Sequence, residues 1–347
     1  MKMSFRWFGV NDPIPLQYIR QIPSVKSIVS ALYDVPVGEV WPRDKINSLK
    51  NIIASHGLEF TVIESIPVHE DIKLGRSTRD LLIANYCKSI ENMGACGIPI
   101  LCYNFMPVFD WTRSNLAMKL DDGSTALSYD DRDLNNINLD DGTKDLPGWA
   151  VGYSRAELKD LMDAYKNITE ENLWENLSYF LKIVVPVAEK NNVRMGIHPD
   201  DPPWSIFGLP RIMKDEKSLE RLISIVDSTS NGVTFCTGSL GPNSSFDMLS
   251  AFKKLTAKNR VPFVHMRNIK RTGEKGFYES SHITENGDVD MYNIMKIIVE
   301  SGFDGAVRPD HGRMIWGETG KPGYGLYDRA LGAMYLAGLY EGIKKSC

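Results

Sequence analysis

What this sequence lacks narrows it first. No stretch of its 347 residues stays apolar long enough to cross a bilayer, and the opening Met1–Gly9 is too short for the hydrophobic region of a signal peptide. No basic cluster stands out either. The 40 Lys and Arg against 44 Asp and Glu leave a formal net charge of -4, spread along the chain, so nucleic acid and anionic membrane lose their electrostatic footprint. The five cysteines, Cys87, Cys96, Cys102, Cys236 and Cys347, are odd in number and show neither metal-knuckle nor disulfide-scaffold spacing. A cytoplasmic protein with reduced thiols and a small-molecule partner is expected.

What is present is an alternation. Short β-rich runs and helical patterns follow one another from end to end, the signature of βα units closing a parallel sheet. Strands are expected at Met3–Gly9, Val25–Leu32, Glu59–Glu64, Ile98–Tyr103, Val193–His198, Gly232–Cys236, Val261–Arg267 and Phe303–Arg308. Eight such strands with interleaved helices predict an α/β fold of the (β/α)8 TIM-barrel class, with residues 1–347 forming one domain. The short helix near Leu16–Gln21 is the weakest element. The rhythm breaks between Asn104 and about Thr169, a segment too long for an ordinary connection. Its aromatic residues, Phe105, Phe109, Trp111, Tyr129, Trp149 and Tyr153, favour an ordered lid-like insertion after the fourth strand over a linker. A structural insertion packing on a partner subunit is the alternative.

Four strands of the second half end in coordinating groups. They finish Gly196-Ile197-His198-Pro199-Asp200-Asp201, Phe235-Cys236-Thr237-Gly238, Val264-His265-Met266-Arg267-Asn268 and Arg308-Pro309-Asp310-His311. Neighbouring barrel strands lie about 4.8 Å apart, so His198, Cys236, His265 and Asp310 fall on one arc of the rim where barrel enzymes carry their chemistry. Singly, each has an ordinary reading as a satisfied histidine, a packed thiol or a helix cap. Together, two imidazoles, a thiolate and a carboxylate suit a divalent first-row transition metal better than magnesium or calcium. Asp200 is the alternative carboxylate for the same rim. His311 leaves the backbone in a different direction from Asp310, so one can bind metal while the other faces a substrate. Arg267, at same-face spacing from His265, offers a fork for a carboxylate. The Gly320-Lys321-Pro322-Gly323-Tyr324-Gly325 loop lacks phosphate-loop spacing; its glycines let Tyr324 approach the site.

These segments, with His265-Met266-Arg267-Asn268, Gly276-Phe277-Tyr278-Glu279-Ser280-Ser281-His282 and the opening Phe5-Arg6-Trp7-Phe8-Gly9, resemble those of the mannonate dehydratases over nearly the whole chain. The resemblance implies a hydro-lyase of hexuronate (glucuronate) catabolism that converts D-mannonate to 2-dehydro-3-deoxy-D-gluconate and water. It further implies a Mn(II) or Fe(II) cofactor, a xylose-isomerase-like barrel and a homodimer. By motif match it gives the metal to His198, Cys236, His265 and Asp310 and makes His311 and Tyr324 the acid/base pair. An imidazole is the better base near neutral pH and a phenol the better acid, so His311 is expected as base and Tyr324 as acid. Arg267 or Arg308 would neutralise substrate charge, a barrel-core salt bridge being the other reading of Arg308. Glu279 and His282 would bind hydroxyls or order groups around the metal, and His69, after the third strand, would reach the sugar chain. Two rivals remain. A sugar isomerase or epimerase of the same barrel class tends to collect carboxylates for harder ions, which Cys236 opposes. A non-catalytic sugar-acid-binding protein would not need both an imidazole and a phenol beside a metal.

Overall fold

Each expected barrel strand is present, most of them trimmed at one or both ends. The computed structural model describes residues 1–134 and 153–346. Its strands are β1 (Lys2–Arg6), β2 (Ser27–Ser30), β3 (Glu59–Glu64), β4 (Ile100–Tyr103), β5 (Asn115–Lys119), β6 (Thr125–Asp130), β7 (Arg194–Ile197), β8 (Asn231–Cys236), β9 (Phe263–Met266), β10 (Ile269–Gly273), β11 (Gly276–Glu279) and β12 (Ala306–Pro309). Eight close into a parallel barrel in the order β1-β12-β9-β8-β7-β4-β3-β2. The chain therefore forms the expected TIM barrel.

Helices cover the strands because their apolar residues recur at helical spacing. The helix Glu170–Lys190 starts at a Thr169–Asn172 capping box and buries Leu173, Leu177, Phe180, Leu181, Val184 and Ala188 along one face. Each of the Leu, Phe and Val side chains contributes about 1.5–3 kcal/mol on leaving water. Inside the barrel a second apolar cluster, Val29, Val62, Ile100, Cys102, Phe263 and Ala306, forms a dry plug. Two threonines on these strands are satisfied locally: Thr61 Oγ1 donates to Ser27 Oγ (2.9 Å) and Thr234 Oγ1 to the Gly196 carbonyl (3.0 Å).

Strand register sets the next layer up. Cys236 and Arg308 both lie beside His265 on neighbouring strands, and Glu64 lies beside Cys102. Chemistry-bearing side chains are thus delivered together at the C-terminal ends of rigid elements.

Two excursions combine above this rim. The β5–β6 hairpin from the segment after β4 pairs through β6 with β11, giving a four-stranded antiparallel sheet in the order β10-β11-β6-β5. Tyr129 and Phe277 stack across it with ring centroids 5.8 Å apart. Part of the segment expected as a lid, residues 135–152, lies outside the described residues. Among the described residues, no helix is long and apolar enough to cross a membrane.

Candidate active site

A cavity of about 270 Å³ opens at the C-terminal mouth of the barrel; its wall includes His198, Arg308, Asp310, His311, Tyr324 and Trp111. Of the four coordinating groups expected from the sequence, His198 and Asp310 line one side of it, and Cys236 and His265 lie behind them. Ligand atoms of His198, Cys236 and His265 lie within 4.8 Å of one another. Asp310 adjoins them, one carboxylate oxygen 3.7 Å from Cys236 Sγ and the other 3.7 Å from His265 Nδ1.

These groups fit a cation on three grounds. His265 is fully buried with neither ring nitrogen hydrogen-bonded, and Asp310 Oδ1 makes no hydrogen bond although Arg308 Nη2 lies 2.7 Å away. Leaving such buried groups unsatisfied costs about 1–3 kcal/mol each, a cost that a shared ion removes. His198 Nδ1 donates to the Pro199 carbonyl (2.7 Å), which leaves the Nε2 lone pair available as a ligand. The donor set of two imidazoles, a sulfur and a carboxylate is that of a borderline divalent ion. Ser239 Oγ donates to Cys236 Sγ at 3.0 Å.

On another side of the cavity stands a hydrogen-bonded chain. His311 Nδ1 is 2.7 Å from Glu279 Oε1, and His311 Nε2 is 2.8 Å from Tyr324 Oη. Arg267 Nη1 also lies 2.8 Å from Nδ1. We assign the proton to Nδ1, facing the carboxylate, so that Nε2 accepts from the phenol. Burial pushes the His311 imidazole below its ordinary pKa despite Glu279 and Asp310, which keeps it neutral. Burial, reinforced by Asp310, raises the Tyr324 phenol, which keeps it protonated. The tyrosine reaches this position because Gly323, at φ +78, lies so close to Leu127 that a Cβ there would fall 2.4 Å from its Cδ1.

Arginines hold the carboxylates. Arg113 grips both oxygens of Asp201 (2.8 and 3.1 Å) and reaches Glu279 at 2.7 Å; Arg267 spans Asp201 (2.7 Å) and Glu279 (3.1 Å). Burial alone would raise the Glu279 carboxyl, but His311, Arg267 and Arg113 hold it below its usual range. Arg113, Asp201 and Trp111 are not among the site residues expected from the sequence. Asp201 carried a signal, its place just beyond His198; Arg113 and Trp111 sit in the polar excursion, where only the pairing of an arginine with an aromatic marked them.

Not every expected residue comes to the cavity. Asp200 turns away, accepting from the Met213 amide (2.7 Å) and facing Arg211 (3.6 Å), so Asp310 is the carboxylate beside the other ligands. His69 caps the helix Glu70–Lys73, its Nδ1 accepting from the Asp71 amide, and it lines a neighbouring cavity. His282 is buried against the last helix, where a Cβ on Gly332 would fall 2.4 Å from its Nδ1. Glu279 is enclosed behind His311 and fully buried. Arg267 reaches the cavity wall with both Nη groups already engaged, whereas Arg308 Nε and Nη1 are buried without hydrogen-bond partners.

Comparison with known proteins adds a separate line. Residues 1–347 match the family model described as D-mannonate dehydratase (UxuA). The chain is 56% identical over 346 residues to mannonate dehydratase of Streptococcus uberis, covering 100% of this chain and 99% of that one. It is 54% identical to mannonate dehydratase 2 of Halalkalibacterium halodurans, with 99% of each chain covered. It superposes on the crystal structure of mannonate dehydratase from Streptococcus suis with a TM-score of 0.94 at 49% identity, covering 100% of this chain and 95% of the other. D-psicose 3-epimerase from Clostridium cellulolyticum, at 11% identity and a TM-score of 0.57, shares the fold alone.

Proposed function

Because the chain belongs to the D-mannonate dehydratase (UxuA) family, we propose that the two sides of its cavity divide the work of one dehydration, His198, Cys236, His265 and Asp310 holding a divalent ion and His311 with Tyr324 moving protons. The protein is a hydro-lyase that converts D-mannonate to 2-dehydro-3-deoxy-D-gluconate and water, and the reaction is metal-dependent. Mn(II) or Fe(II) is the ion we assign, from the mixed donor set. When bound, it supplies Lewis-acid charge for the substrate carboxylate and C2 hydroxyl and for the negative charge that develops on deprotonation.

The remaining steps belong to side chains. Neutral His311 takes the C2 proton on Nε2, and Glu279, facing Nδ1, balances the imidazolium that forms. Tyr324 gives its proton to the departing C3 hydroxyl, and His311 at 2.8 Å can return one to the phenolate. Arg308 meets the substrate's negative charge with its two uncommitted nitrogens; Arg267 positions Glu279, the partner of His311. Trp111, its ring centroid 5.1 Å from that of His311, walls the base from water. Glu279 and His282 order the surroundings of the pair and His69 borders the approach of the sugar chain.

The observation that carries this reading is the Glu279–His311–Tyr324 chain standing beside the four ligands. Incubation with D-mannonate and Mn(II), followed by assay for a 2-keto-3-deoxy acid, tests it; an isomer formed without loss of water overturns it. We further assign residues 1–347 to one barrel domain, with 104–169 as a lid-like insertion, and a cytoplasmic location. A homodimer is supported by exposed Tyr327, Leu331 and Met334 along one face of the last helix, with Trp316 5.6 Å from Tyr327. Light scattering should give twice the chain mass, and Leu331→Glu should halve it.

A further inference from the structure

The two ring nitrogens of His265 face different groups. Nδ1 lies 3.7 Å from Asp310 Oδ1, on the side of the other ligands, whereas Nε2 lies 3.5 Å from Oε2 of Glu64. Glu64 ends β3, and β3 stands four strands from β9 in either direction round the barrel, so this carboxylate reaches His265 from the opposite wall. Both Nε2 and Oε2 are buried and neither makes a hydrogen bond, Arg6 Nη1 lying 3.3 Å from Oε2 as well. For His265 Nε2, the Glu64 carboxylate is the acceptor within reach.

Glu64 and Cys102 also place ligand atoms within 4.8 Å of His265, which raises the question of a second cation there. Glu64 is already engaged: Arg308 Nη2 donates to its Oε1 at 2.9 Å and Arg6 Nη1 lies 3.3 Å from its Oε2. Arg308 Nη2 is shared with Asp310 at 2.7 Å, which ties Glu64 to the ligand carboxylate as well.

We propose that Glu64 is a positioning residue for the metal site: its carboxylate accepts the Nε2 proton of His265 and so fixes the tautomer whose Nδ1 lone pair is offered to the ion. A carboxylate behind a ligating imidazole sets the ring's orientation and raises its basicity toward the metal, and losing such a partner costs about 10- to 100-fold in affinity. This assignment rests on the reading of His265 as a ligand given above.

Mn(II) titration of metal-free protein by calorimetry tests both and separates them. Glu64→Gln removes the charge but keeps the shape. Glu64→Asp keeps a carboxylate for Arg6 and Arg308 but withdraws it from His265 by one methylene, guarding against a variant that fails to fold. In whichever variant retains the wild-type circular dichroism spectrum, Kd for Mn(II) is expected to rise about 10- to 100-fold. A merely structural Glu64 would instead lower the melting temperature of the metal-free protein and leave Kd unchanged, and that result overturns the proposal. Cys236→Ser, measured alongside, reports on the ligand set itself. If it loses Mn(II) while the Glu64 variants bind normally, only the role of Glu64 falls; if it too binds normally, the ligand assignment falls first.

Discussion

His311 Nε2 and Tyr324 Oη lie 2.8 Å apart, so base and acid of one reaction are joined by a single hydrogen bond. Their roles separate experimentally. Tyr324→Phe should lower kcat by about 10²–10⁴-fold, the usual contribution of a positioned acid, while D-mannonate still exchanges its C2 proton with D₂O. His311→Asn should abolish both turnover and exchange. Exchange surviving in His311→Asn would reverse the two assignments.

Removal of metal should be reversible and selective. A chelator should take activity to background, and Mn(II) or Fe(II) should restore it, whereas Mg(II) should not, because sulfur and imidazole donors suit borderline ions. Elemental analysis of protein purified without air measures which ion is carried. Full activity with Mg(II) would contradict the role given to Cys236.

Gly238 holds no ligand, yet its replacement should be severe. A Cβ there would fall 1.9 Å from Arg267 Nε, so Gly238→Ala must displace a guanidinium that holds Asp201 and Glu279, the latter the partner of His311. We expect a loss in kcat of about 10²-fold or more, as misplacement by an ångström can cause. Steady-state kinetics beside a circular dichroism spectrum checks it; an active, folded Gly238→Ala would show that Arg267 has room to move.

Lys321 gives a stability change with pH. Its Nζ lies 4.1 Å from the Phe8 ring centroid and 5.3 Å from that of Tyr324, yet burial first, and then Arg6 and Arg329 against Asp12, pull its pKa from 10.5 down to about 7. The folded state thus disfavours the charged amine, at full cost below about pH 7. Between about 7 and 10.5 the unfolded chain holds a proton that the folded one does not, so this group's contribution to stability rises with pH. Lys321→Met should be more stable than wild type near pH 6, with the advantage shrinking toward pH 10. Urea denaturation across that range measures it; a difference independent of pH would remove the assignment.

The barrel was legible because its signal is local and periodic. Short apolar runs between helices, such as Glu59–Glu64, match the observed strand to the residue. The four candidate ligands were legible for a related reason: each ends a strand, and consecutive strands in this half of the chain are neighbours. The antiparallel sheet above the rim was not expected, since β6 pairs with β11 from the far half of the chain and β5 merely alternates exposed with half-buried residues. Arg113 was missed with it, because its carboxylate partners lie 88 and 166 residues away, a distance at which no spacing pattern is visible. His282 and His69 show how little residue type alone decides. A histidine in the right loop can be spent on packing against Gly332 or on a helix cap, and residue type does not distinguish these uses.

The sheet that joins β5–β6 to β10–β11 has a consequence for anyone exchanging parts between relatives. Arg113 precedes one hairpin and Glu279 ends the other, and the pair meets at 2.7 Å beneath strands that hydrogen-bond to each other. Neither excursion can be transplanted singly without leaving a charge stranded and an edge unzipped. A workable chimaera has to carry both, as though two distant stretches of chain were one inherited cassette.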